Sequence, residues 1–184
     1  MNEGAGAWPL SLRLVHWVTA VLVIGTLVLG VYVVQFVADT GRRYELTQVH
    51  KSIGIAVFAL TVGRLCLRAV IRAPRPEPGA PMLLLAAKAA HIALYVLLLV
   101  MVSSGWMMTT TTPVRVPTVV FGLFQLPYPL APNMAVYRIV RIVHVAAAIS
   151  LAALIALHVA AALTHALFWG DRTLARMWRG GCRG

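Results

Sequence analysis

Charge is scarce in this 184-residue chain: 11% of its residues are Asp, Glu, Lys or Arg, against the roughly 25% of an ordinary soluble domain. Acidic residues are rarest, five against sixteen Lys and Arg. Cysteine is nearly absent, and Cys66 and Cys182 are too few and too far apart for a disulfide framework or a Cys-rich metal site. Residues 1–9 lack the basic stretch and small-residue cleavage site of a secretory signal, so the first apolar run is expected to stay in the protein. Long polar segments are missing too. That leaves no length for a soluble domain, a nucleotide-binding loop or a nuclease core.

What the chain has instead is apolar surface, 60% of its residues, with a mean hydropathy of +0.84. Runs over 18–34, 53–67, 91–108 and 143–163 each approach the ~20 residues that cross a bilayer core of ~30 Å. The expected fold is an all-α membrane protein, a four-helix transmembrane bundle in one domain spanning 1–184, with helices over 8–37, 45–71, 82–108 and 135–169. Four prolines in 72–81 make that stretch a loop, and five in 109–133 surround an apolar piece, 118–126, expected to lie on the outer membrane surface as a cap. Gly170 ends the fourth helix before a basic tail, 170–184.

The net charge of +11 does not point to nucleic acid, because the cations flank apolar runs, where they anchor helices. Ten of the sixteen fall on the side of the two termini: Arg13, Arg64, Arg68, Arg72, Arg75, Lys88, Arg172, Arg176, Arg179 and Arg183. The other side holds Arg42, Arg43, Lys51, Arg115, Arg138 and Arg141. This bias predicts both termini in the cytoplasm and reduced thiols.

Histidines inside the spans are costly and need an account. His144 and His158 are fourteen residues apart on the fourth helix, hence within about 40° on one face and ~21 Å apart in depth. His50 shares the outer depth with His144, and His16 the inner depth with His158. Two depths, each with imidazoles from two helices, is the arrangement that holds two stacked haems, each iron between two axial histidines, leaving one-electron transfer as the chemistry. No C-x-x-C-H is present, so the haems would be of b type. His91 and His165 remain competitors by position. Spacing disfavours His165, and His91 reads as a packing histidine or a contact of haem propionate or quinone.

These residues resemble the bacterial cytochrome b561 family. The resemblance rests on L-R-L-V-H-W at 12–17, Q-V-H-K-S-I-G at 48–54, G-R-L-C-L-R at 63–68, H-I-A-L-Y at 91–95 and F-G-L-F-Q-L-P-Y at 121–128. Its most specific stretch is L-H-V-A-A-A-L-T-H-A-L-F-W-G-D-R-T-L-A-R-M at 157–177. It implies two haem b groups, with His16 paired to His158 and His50 to His144. It also implies a multi-pass protein of the bacterial inner membrane that exchanges electrons with the quinone pool. One member of the family is a superoxide oxidase, which passes an electron from superoxide through the haems to ubiquinone. Others are cytochrome b subunits serving a partner dehydrogenase or hydrogenase. The preferred expectation is a superoxide:ubiquinone oxidoreductase; the alternative is an electron-transfer subunit linking a dehydrogenase or a periplasmic c-type cytochrome to quinone. A channel is disfavoured because haems would fill its pore, and a homodimer is left open. Lys51 and Arg141, next to His50 and three residues before His144, are expected to collect superoxide; the position of Arg141 is also basic in the superoxide oxidase.

Overall fold

The computed structural model describes residues 7–72, 74 and 79–178; Arg75, Arg179, Arg183 and Cys182 lie outside them. Four long helices form the bundle: α1 Leu10–Phe36, α2 Thr40–Val70, α3 Pro81–Thr111 and α4 Met134–Thr164, the last running on through a wide π-helical turn, His165–Trp169. All four are long and apolar enough to span a membrane. A hairpin of β1 Val119–Val120 and β2 Phe124–Gln125 joins α3 to α4, and a short α5 Thr173–Trp178 follows Gly170.

The helix ends follow local chemistry. α2 begins at Thr40 and not near residue 45 because Asp39 caps it, accepting the Arg42 N–H at 2.7 Å. Pro81 opens α3 at the first turn, where its missing N–H costs nothing. That helix runs past 108 to Thr111; Thr109, Thr110 and Thr111 return their hydroxyls to carbonyls of the preceding turn. Asn133 caps α4 by accepting the Ala135 and Val136 N–H groups at 3.0 and 3.1 Å.

Packing pairs α1 with α2 and α3 with α4, and α2 against α3 joins the halves. The centre is a thin apolar layer of Val23, Val57 and Leu151, with Leu94, Leu97, Leu98 and Met101 of α3 packed against it. Large apolar side chains point outward along the spans, among them Val21, Val28, Ile142 and Ile149, as a lipid-facing surface requires.

One end of the bundle carries both described chain ends. Arg13 donates to the Met177 carbonyl at 3.2 Å and Trp17 Nε1 to the same carbonyl at 3.0 Å, so α5 is tied onto α1; the stretch read as a plain tail contains this helix. The other end carries the hairpin. Its turn places Phe121 (φ 48°) and Gly122 (φ 75°) in the left-handed region, closed by a Leu123 N–H to Val120 carbonyl bond of 2.9 Å. Gln48 and Ser52 of α2 hold it: Gln48 donates to the Pro117 carbonyl at 2.6 Å and accepts from the Val119 N–H at 3.2 Å, and Ser52 Oγ accepts from the Phe121 N–H at 3.0 Å. The apolar piece around residues 118–126 is thus a hairpin keyed to the helix that carries His50.

Candidate cofactor sites

Because successive helices run in opposite directions, each crosses two levels at positions fourteen residues apart, ~21 Å along the axis. The level near the termini receives His16 from α1, Arg64 from α2, His91 from α3 and His158 from α4. The level near the hairpin receives Gly30, His50, Gly105 and His144 in the same order. Midway between lie Val23, Val57, Leu98 and Leu151, the apolar layer already described.

At the terminal level the ring centroids of His16 and His158 are 6.4 Å apart, with the rings inclined by 75°. His91 packs edge-on against His158 with a centroid distance of 5.3 Å. Arg64 lies within electrostatic reach of all three histidines, and its guanidinium stands 5.6 Å from the centre of the Tyr95 ring. The charge count from sequence put Arg64 at the membrane surface; the structure puts it half-buried inside the bundle.

At the hairpin level His50 and His144 lie within electrostatic reach of one another. Each ring rests on a glycine of the neighbouring helix: a Cβ on Gly30 would stand 3.0 Å from His50 Cε1, and one on Gly105 would stand 3.2 Å from His144 Cε1. His144 Nδ1 is 3.0 Å from Ser104 Oγ, which orients the ring and leaves Nε2 for another partner. The buried Nδ1 of His50 makes no hydrogen bond of ordinary geometry, although the Thr26 carbonyl of α1 lies near it.

Lys51 is half-buried beside His50. Arg141 is exposed and lines a shallow pocket of about 500 Å³ with Met134, Tyr137, Arg138 and Ile142. The expected collector residues therefore stand on different helices, one against the histidine level and one on the outer surface of α4.

His165 is occupied elsewhere. It begins the π-helical turn and its Nδ1 bonds the Asp171 carboxylate, which also accepts the Thr173 N–H at 2.8 Å. Partial burial works against ionisation of Asp171, but the hydrogen bonds from His165 and Thr173 outweigh it and hold the carboxyl below its usual range. A carboxyl with a depressed folded-state pKa stabilises the fold fully above its unfolded value, about 4, and loses that contribution as pH falls through the lowered value. Amide exchange across residues 172–178, corrected for intrinsic rates, is expected to rise below about pH 4, and Asp171→Asn is expected to raise it already at neutral pH. No change in either experiment would show that this pair does not hold α5.

Sequence reasoning missed Arg64, Ser104 and the two glycines. The signal for Arg64 and the glycines was the fourteen-residue repeat, which Ser104 falls outside: only α4 carries histidine at both of its positions, so the pattern was visible there and hidden on the other three helices.

Comparison with known proteins follows the same lines. The sequence profile described as prokaryotic cytochrome b561 matches residues 7–180. Cytochrome b561 homolog 2 of Escherichia coli is 36% identical over 163 residues, covering 88% of this chain and 86% of that protein. The match spans all four helices and both histidine levels, and the chain belongs to the prokaryotic cytochrome b561 family, multi-pass bacterial membrane proteins that transfer electrons by means of haem b.

Proposed function

We propose that the protein carries electrons across the bacterial inner membrane between two b haems, one at each histidine level, and that it oxidises superoxide at the hairpin side and reduces ubiquinone. The observation that carries the two-haem reading is the pair of histidine levels, each drawn from two or more helices and separated by an apolar layer. An iron held between two imidazole nitrogens at ~2 Å each sets the ring centroids ~6 Å apart. His16 and His158, at 6.4 Å, fit that span; His91 and His158, at 5.3 Å, are too close for it. The glycines beneath His50 and His144, and the Nε2 that the Ser104 bond leaves free on His144, fit a second flat group at the other level.

In this reading His16 and His158 would hold the inner haem, and His50 and His144 the outer one. When bound, haem b would supply one-electron redox chemistry. His91 packs on His158 and fixes its ring. Ser104 fixes that of His144. Val23, Val57, Leu98 and Leu151 keep water out of the space between. The termini face the cytoplasm, so the hairpin level faces the periplasm. Lys51 and Arg141 raise the local concentration of a small anion there. Two superoxide ions, each giving up one electron to become dioxygen, supply the two electrons that with two protons convert ubiquinone to ubiquinol.

Pyridine haemochrome assay of the purified chain is expected to give two haems per protein; a value near one ends the two-haem reading. Reduction by superoxide is expected with the protein alone, at a rate that falls with salt and falls again in Lys51→Gln and Arg141→Gln. If superoxide reduces neither haem, or if salt and both substitutions leave the rate unchanged, the protein is instead an electron-transfer subunit that takes its electrons from a partner protein.

A further inference from the structure

Arg64 is a cation inside a membrane bundle, and no acidic side chain among the described residues meets it. Its Nε is wholly buried and makes no hydrogen bond. A charged side chain at this depth is expensive unless paired. The acidic side chains among the described residues are Asp39, Glu45 and Asp171. Asp39 and Glu45 stand at the far end of α2, and Asp171 is committed to His165 and Thr173. No described carboxylate serves Arg64.

A second group shares this condition. Tyr95, whose ring lies 5.6 Å from the guanidinium carbon, has a hydroxyl that is buried and without a hydrogen-bond partner. Tyr95 is one turn along α3 from His91, and Arg64 occupies on α2 the position that histidines occupy on the other three helices. Two unsatisfied donors therefore face the same level, beside the imidazoles of His16, His91 and His158. Donors left bare at such a site define the missing partner: an anion with acceptor oxygens, at the edge of whatever the histidines hold.

We infer that Arg64 and Tyr95 together bind a carboxylate of the inner haem, a propionate, and so anchor that haem by an ion pair in addition to its axial ligands. The inference rests on the inner pair His16 and His158 proposed above. It adds a residue that the sequence assigned to membrane orientation. The carboxylate neutralises Arg64, and an arginine offers it paired N–H donors as well as charge. Apoprotein lacking the haem would retain an uncompensated buried cation, so occupancy of this site also stabilises the bundle.

The test is a cycle between the protein and the haem. Full-length wild type and Arg64→Gln are each loaded with haem b and with its dimethyl ester, in which both propionates are neutral. Haem release to excess apomyoglobin is then followed. With haem b, one of the two release phases is expected to quicken about tenfold in Arg64→Gln, the size of a charge-assisted hydrogen bond lost, while Arg64→Lys stays within about threefold of wild type because it retains the charge. With the ester, the same phase in wild type is expected to be about tenfold faster than with haem b, and Arg64→Gln to add nothing. Tyr95→Phe keeps the ring and removes only the hydroxyl, and is expected to quicken the haem b phase alone.

A merely structural Arg64 would quicken release of haem b and of its ester alike, so equal acceleration with the two overturns the inference. So does a wild-type protein that holds the ester as firmly as haem b, a result that needs no variant and stands even where Arg64→Gln does not fold. Haem content of His16→Ala, measured alongside, tests the axial pair separately.

Discussion

Replacing His50 or His144 by alanine is expected to leave one haem per chain, and replacing His16 or His158 likewise, with the remaining haem differing between the two sets. A haem that lost one of its two histidines would be held by packing and by whatever grips its edge. In this bundle Gly30 and Gly105 lie against the rings of the hairpin level, and the aliphatic layer lies midway between the two levels. His91→Ala is the informative control. Its ring touches His158 but stands too close to share an axis with it, so both haems are expected to stay, with a broadened inner signal in electron paramagnetic resonance because His158 loses its lateral support. Haem content and low-temperature difference spectra of the five variants decide the matter. Should His91→Ala lose a haem while His16→Ala keeps two, α3 supplies the inner ligand and the proposed pairing is wrong.

The levels themselves were legible from sequence through a single helix. His144 and His158 lie on one face fourteen residues apart, and helical geometry turns that spacing into two depths. The four spans were legible for a similar reason, since length and hydropathy suffice to mark a membrane helix. Helix ends were less so. Asp39 to Arg43 read as a polar connector, yet a polar residue before a helix is also what caps one, and Asp39 does so. The segment after Gly170 read as a basic tail because α5 is one and a half turns long, too short for periodicity to show. Its stability comes from tertiary bonds to Arg13 and Trp17, which no local pattern encodes. Arg64 was misread for a different reason. Hydropathy counts a charged residue six positions from a helix end as a flank, and its role as a buried cation appears only when three other helices bring histidines to its level. The hairpin around residues 118–126 is a further case: β-branched and aromatic residues flank Gly122, but the partners that hold it, Gln48 and Ser52, lie about seventy residues earlier.

Gly30→Val is expected to abolish binding at the hairpin level while sparing the other. The nearest atom to a Cβ at this position is His50 Cε1 at 3.0 Å, with Nδ1 at 3.4 Å, closer than a side chain tolerates without movement of its neighbour. Whether the ring can yield decides the cost. Free of a cofactor, the imidazole could swing about its χ angles. If it held a cofactor it could not, since a rotation that relieves the clash would also misdirect Nε2. The added methyl of Gly30→Ala therefore falls mainly on the bound state, at about 1–3 kcal/mol for overpacking a close contact, or roughly ten- to a hundredfold in affinity at 1.4 kcal/mol per decade. Valine, with two methyl groups beyond Cβ, exceeds what a few tenths of an ångström of helix movement can absorb. Gly105→Ala, with His144 Cε1 at 3.2 Å, is expected to weaken the same haem less. Gly25→Ala is the matched control: it lies on the same helix, and a Cβ there meets nothing within 4 Å, so both haems should remain. Haem content and redox titration of the four variants provide the measurement. Two haems with unchanged potentials in Gly30→Val would show that His50 turns away from α1 when the cofactor binds, and that His144 needs a partner other than His50.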